Sequence, residues 1–234
     1  MTGEAIPYRD GDVALTGLVY RPAAAPRAAV LIFPTVANVT ANIERKAAAL
    51  AEAGYLALIA DFYGLPVADF AAAIPLAEAL RADPRQYRAR LTAALEALRR
   101  IAGDGLPAAA IGFCMGGQAA LDLARTGADL AVAASFHGLL DTRLPAAPDA
   151  IKARLLVLHG DADPMVPRSQ VAAFQAEMDA AEADWHFHAY AHVRHGFTDP
   201  DSDARGMDAV KYDASADRQS WAALLSLFDE VFAA

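Results

Sequence analysis

Cysteine is nearly missing from this 234-residue chain, with Cys114 its only one. A single thiol forbids an internal disulfide and any multi-cysteine zinc site, so Cys114 is either core filler or a reactive group. Positive charge is also scarce, 20 Lys and Arg against 29 Asp and Glu for a net charge of −9. That balance argues against nucleic acid or an anionic membrane surface as partner. No apolar run approaches the roughly 20 residues needed to span a bilayer. Met1-Thr2-Gly3-Glu4 does not open like a signal peptide, and the expectation is a soluble, cytoplasmic protein. Repeats, low-complexity blocks and linkers are missing too. A single domain over residues 1–234 is expected, as monomer or homodimer, and that length can bury a sizeable core.

What is present is an alternation of short apolar runs with helical patterns. Asp12 to Tyr20 alternates apolar and polar residues like a half-exposed edge strand. Ala28 to Phe33 and Tyr55 to Ala60 are continuous apolar runs, hence buried strands. Between them Thr40 is placed to cap a helix that ends before Gly54, with Ile43, Ala47 and Leu50 on one face. Asp61 to Pro66 opens an excursion over the surface. Pro84 to Ile101 has Leu91, Leu95 and Leu98 at core spacing, with arginines expected outside. Further strands are predicted at Leu130 to Phe136, Leu155 to His159 and Trp185 to Tyr190, and helices at Pro167 to Ala181 and Ser215 to Phe232. This order predicts an α/β fold with a mainly parallel, doubly wound sheet, whose chemistry sits beyond the carboxyl ends of the strands.

Three such ends carry reactive residues. Ala108 to Phe113 is an apolar run that passes through Gly112-Phe113-Cys114-Met115-Gly116-Gly117 into an Ala/Leu-rich helix pattern. This is the G-x-S-x-G strand-to-helix turn with cysteine in the serine's place, and Gly112 and Gly116 let two backbones pass closely. The helix N-terminus behind the cysteine favours a thiolate and developing oxyanions. The turn after His159 offers Asp161 and Asp163, and the loop after Tyr190 offers His192 and His195. Nucleophile, acid and histidine thus follow in the order of the α/β-hydrolase fold. A histidine beside a thiol takes its proton, and a carboxylate holds the ring in the needed tautomer.

Gly112-Phe-Cys-Met-Gly-Gly117, Gly160-Asp-Ala-Asp-Pro-Met-Val-Pro167 and His195-Gly-Phe197 together resemble the dienelactone hydrolase family, the cysteine branch of the α/β-hydrolases. Asp61-Phe62-Tyr63-Gly64 and Tyr212-Asp213-Ala214 extend the similarity over nearly the whole chain. The resemblance implies Cys114 as nucleophile, His195 as base and Asp163 as orienting acid, with Asp161 shaping the turn. It implies an oxyanion hole from the N–H groups of Met115 and Val36. It implies neither metal nor organic cofactor. His186 and His188 alternate in one strand without a third ligand, and His192 lies outside the His-Gly-Phe motif.

The chain departs from the family pattern at two positions. Thr35 stands where the family carries a glutamate beside the resting cysteine, and Asp199 stands where it carries a substrate-binding arginine. A neutral hydroxyl cannot act as a carboxylate switch, and Asp199 is expected to repel an anionic substrate. Arg81, Arg85 and Arg88 are the alternative cations, or ordinary solvated helix charges. The expected substrate is therefore a neutral small-molecule ester or lactone. The alternatives are a hydrolase that also cleaves neutral phosphotriesters with the same cysteine, and a non-catalytic, redox-sensing protein. Thr35, Phe62, Tyr63, Phe113, His137 and Phe197 are the expected substrate neighbours, although packing explains the aromatic residues equally well.

Overall fold

The computed structural model describes residues 2–233. Its contacts fall into two compact units, Met1–Ala110 and Ile111–Ala234. The fold class is the expected one, α/β, with eight strands among the described residues forming a mainly parallel sheet flanked by helices.

In the first unit β1 (Glu4–Asp10) and β2 (Val13–Tyr20) form an antiparallel hairpin, in register from Glu4 opposite Val19 to Asp10 opposite Val13. β2 also pairs with β4 (Leu56–Ile59), so it is an interior strand and not the edge expected from its alternation. The alternation instead reflects one covered face. The edge is β1, which sequence reasoning passed over because Pro7 and its charged neighbours disguise it. Pro7 lacks an N–H, and an outermost strand is where a sheet tolerates that. β3 (Ala29–Phe33) and β4 are parallel and buried throughout.

They are joined through α1 (Ala41–Glu52), which starts where Thr40 Oγ1 accepts the Ile43 N–H at 3.4 Å. Ile43, Ala47 and Leu50 are buried, as their spacing predicts. α2 (Phe70–Ala82), capped by Asp69, occupies sequence expected to be an irregular excursion. Pro75 inside it breaks the pattern a helix would show. α3 (Pro84–Ala102) packs on β1 and β3. Its leucines point inward as expected, but so does Arg90. Arg90 is 5% exposed, its Nε donates to Asp10 Oδ2 at 2.7 Å, and its Nη1 donates to the Phe62 carbonyl. A guanidinium with one buried and one half-buried acceptor can lie under a sheet edge.

The second unit places β6 (Val132–Phe136), β7 (Arg154–Gly160) and β8 (Trp185–Tyr190) side by side, all parallel. β5 (Ala108–Phe113) runs into α4 (Met115–Arg125), which packs against β6, as does α6 (Ala214–Val231). α5 (Arg168–Ala180) follows β7, and a short 3-10 helix (Pro200–Arg205) lies between β8 and α6. Among the described residues no helix is long and apolar enough to cross a membrane.

The turn after β4 is held by one buried side chain. Asp61 Oδ1 accepts from the N–H groups of Tyr63 and Gly64, both at 3.0 Å, and from Asn38 Nδ2 at 2.9 Å. Its Oδ2 accepts from the Thr16 N–H at 3.0 Å. The Tyr8 hydroxyl bonds both the carbonyl and the N–H of Asp61. Replacing Asp61 by alanine leaves four donors without their acceptor, so Asp61→Ala should cost about 3 kcal/mol or more in urea unfolding. A loss below about 1 kcal/mol would show that water replaces the carboxylate at little cost.

Candidate active site

The turn from β5 to α4 is as strained as its glycines suggest. Cys114 has φ 57° and ψ −119°, a region that non-glycine residues rarely occupy. A Cβ on Gly112 would lie 1.8 Å from the Gly116 carbonyl oxygen, so only glycine fits there. On the other side of the helix, a Cβ on Gly117 would meet Ser135 Oγ at 2.6 Å and Gly138 Cα at 2.8 Å. The start of α4 is thereby pressed onto the end of β6. Cys114 is partly exposed, and Met115 is the first residue of the helix. The first N–H groups of a helix have no partner within it and can receive an oxyanion.

The ends of β7 and β8 bring Asp163 and His195 together. His195 Nδ1 lies 2.7 Å from Asp163 Oδ2, and the two residues are 4% and 3% exposed. Asp163 Oδ1 accepts the Met165 N–H at 2.8 Å, so the carboxylate is fixed by its own turn. The His195 backbone is gripped by residues 209–211: its N–H donates to the Ala209 carbonyl, and its carbonyl accepts the Lys211 N–H. Nε2 of His195 is buried without a well-aligned hydrogen bond. Burial disfavours a charged ring, but the Cys114 thiolate charge and the hydrogen bonds to Asp163 and Cys114 outweigh it, and the His195 pKa rises to about 10.

The two aspartates of the turn are separated plainly. Asp161 is bound by Arg168, Nε to Oδ1 at 3.0 Å and Nη2 to Oδ2 at 2.6 Å. That guanidinium holds its carboxyl below the usual range. His192 is exposed in a left-handed turn. His186 and His188 are exposed on alternate positions of β8, and among the described residues no group of three His, Cys, Asp or Glu is placed to hold a metal.

Several expected substrate neighbours are core residues. Phe62, Phe113 and Phe197 are at most 1% exposed, and Phe113 stacks on Phe136 with ring centroids 4.7 Å apart. Side chains so enclosed cannot touch a substrate without repacking. His137 is 2% exposed and lies against His195 and Phe197. In the first unit Thr35 is 7% exposed, with Oγ1 accepting the Ala37 N–H at 3.3 Å, and the Val36 carbonyl accepts the Tyr63 hydroxyl at 2.9 Å. Tyr63 therefore braces the loop carrying Val36.

Asp199 needs correction as a source of repulsion. It is 5% exposed, 2.5 Å from Arg205 Nη2, and caps the 3-10 helix at the Asp201 N–H. Its charge is neutralised in place. Sequence reasoning also missed the Arg168 clamp and the 209–211 grip. Their partners lie 7 to 16 residues away, beyond any local motif, and an Asp-x-Asp turn followed by Arg was the one available signal.

The model of the dienelactone hydrolase family matches residues 15–232. A dienelactone hydrolase-like promiscuous phosphotriesterase, P91, from metagenomic libraries is 34% identical, with TM-score 0.90 and 98% of each chain covered. A structure named m3DLH is 36% identical, with TM-score 0.89 and the same coverage. A protein of Bradyrhizobium sp named as a probable 2-oxo-3-(5-oxofuran-2-ylidene)propanoate lactonase is 31% identical over 192 residues, 75% of each chain. The chain belongs to the dienelactone hydrolase family, and it is a hydrolase of the α/β class.

Proposed function

We propose that this hydrolase opens neutral carboxylic esters or lactones through an acyl-cysteine intermediate, with Cys114 as nucleophile, His195 as base and Asp163 as orienting acid. The observation that carries this is the 2.7 Å bond between Asp163 and His195, combined with the pull of Cys114 on the ring's proton. At rest the pair is thiolate and imidazolium. The thiolate attacks the carbonyl carbon, forming a C–S bond and moving the π electrons onto oxygen. The Met115 N–H receives that oxyanion, and family resemblance adds the Val36 N–H. When the C–O bond breaks, His195 gives its proton to the leaving alkoxide. His195 then takes a proton from water, the hydroxide attacks the acyl carbon, and the thiolate departs. Asp163 holds Nδ1–H toward itself throughout, so Nε2 does the proton transfer.

The preference for a neutral substrate rests on Thr35, since Asp199 is paired with Arg205 and repels nothing. A second activity toward neutral phosphotriesters is supported by the 34% identity to a phosphotriesterase of the same architecture. A P=O group can be polarised by the same donors. A redox-sensing role for Cys114 would instead give stoichiometric labelling by an activated aryl ester without turnover.

The test is a panel of aryl esters, lactones, a carboxylated dienelactone and phosphotriesters, with Cys114→Ala as control. Cys114→Ala should lower kcat/KM by about 10³ or more, and Cys114→Ser should keep only a small fraction. Wild-type activity in the alanine variant would remove the nucleophile from the scheme. Thr35→Glu should slow alkylation of resting Cys114 by returning a carboxylate at the family's position, and preference for the dienelactone over neutral esters would sink the substrate assignment.

The two aspartates should behave differently. Asp163→Asn should reduce kcat by about 10² to 10⁴ with a native fold, because the wrong imidazole tautomer is favoured. Asp161→Asn should stay within about threefold in kcat and act on the stability of the turn. The opposite ranking would show the wrong carboxylate was chosen.

Stability should also carry the signature of His195. Its folded pKa is raised, so its contribution is complete below the unfolded value near 6.5 and is lost as pH rises through about 10. The urea midpoint of the wild type should therefore fall, relative to Cys114→Ala, as pH climbs from about 8.5, the reference thiol value, toward 10. Parallel profiles for the two proteins would mean that no thiolate supports the imidazolium.

A further inference from the structure

We propose that His137 is a positioning residue that holds the nucleophile by its backbone, a neutral ring tying the Cys114 N–H to Thr198 on the loop that carries His195. The proposal rests on Cys114 and His195 being nucleophile and base. The Cys114 N–H is shared between the Phe136 carbonyl at 3.1 Å and His137 Nδ1 at 3.2 Å. An N–H aimed at Nδ1 requires a lone pair there, which leaves the ring's proton on Nε2. Nε2 lies 2.9 Å from Thr198 Oγ1, so Nε2–H donates to that hydroxyl. His137 and Thr198 are 2% and 1% exposed, so the Thr198 end is closed to solvent. One imidazole thus spans from the reactive residue's own peptide to a point three residues past the base.

The ring's surroundings suit a neutral strut. It stands edge-on to His195, with centroids 5.2 Å apart and planes at 69°, and edge-on to Phe197 at 5.2 Å. A second proton, on Nδ1, would set one N–H against another and place a second cation beside the His195 imidazolium. Backbone geometry makes the choice of residue informative. His137 has φ 42°, where glycine would be more comfortable. A side chain kept at such a position, next in space to a nucleophile at φ 57°, is there for what its ring does. The strut fixes the elbow in its uncommon conformation and sets where sulfur stands relative to Nε2 of His195.

The test reads alkylation of Cys114 by iodoacetamide against pH, which needs no substrate and acts through the nucleophile alone. Asparagine and glycine both accept a left-handed backbone, but only asparagine offers an oxygen near the Nδ1 position. His137→Asn, which keeps an acceptor for the Cys114 N–H but does not reach Thr198, should alkylate about threefold more slowly near pH 6.5, whereas His137→Gly should alkylate about tenfold more slowly, with its midpoint displaced toward the free thiol. Thr198→Val, which leaves position 137 intact but removes the far anchor, should move the profile in the same direction. Glycine and asparagine variants that both match wild type overturn the proposal. If His137→Gly does not fold, by circular dichroism, Thr198→Val decides: a displaced profile supports the strut and a wild-type profile refutes it. A wild type that alkylates readily but gives no burst with p-nitrophenyl acetate would sink the ester reading while leaving this result interpretable.

Discussion

The close approach of Gly112 to the Gly116 carbonyl is the constraint on which the site depends. With 1.8 Å between a hypothetical Cβ and that oxygen, β5 and α4 can meet only as glycine permits. The sharp meeting forces Cys114 into its unusual φ and ψ, and that conformation lifts the thiol out of the strand and onto the end of a helix. Strain here is stored in the backbone and balanced by fixed packing on the far side, where Gly117, Gly138 and Ser135 fit closely.

Charge around the site is settled pair by pair. Arg168 occupies Asp161, and Arg205 occupies Asp199. Arg125 deep in α4 is shared between Asp122 and Glu177. With those carboxylates engaged, the acidic group left for His195 is Asp163, at 2.7 Å. A chain with nine excess negative charges could place further carboxylates there, which would hold His195 protonated without Cys114 and blunt it in the proposed role of base.

How much of this was legible follows from the range of the interactions. The elbow, the helix cap at Thr40 and the inward leucines of α3 are local, set by residues within one or two turns, and their motifs announced them. Strand β1 was invisible because Pro7 and Arg9 mask its alternation, and pairing with β2 gives it structure. Helix α2 was hidden by Pro75, which interrupts the pattern a helix would show. Arg90 looked like a solvent-facing charge because its partner Asp10 lies 80 residues earlier. His137 was recognisable as a histidine at a strand end, but its role depends on where Cys114 and Thr198 arrive, 23 residues before and 61 after. Composition and spacing carry no information on such distances.

The same local device appears at Asp61 and Asp163, and comparing them shows how one carboxylate is used up by its turn while the other keeps an oxygen for a histidine. Each follows a strand and accepts an N–H two residues on, from Tyr63 and from Met165. At Asp61 the second oxygen is also taken by backbone, through the Thr16 N–H. Nothing is left over, and the residue serves the loop that holds Asn38. At Asp163 the turn uses only Oδ1, and Oδ2 is directed at His195. Turn geometry fixes the carboxylate without consuming it, so in the proposed scheme the His195 ring meets an acceptor already in place and proton transfer needs no rearrangement there.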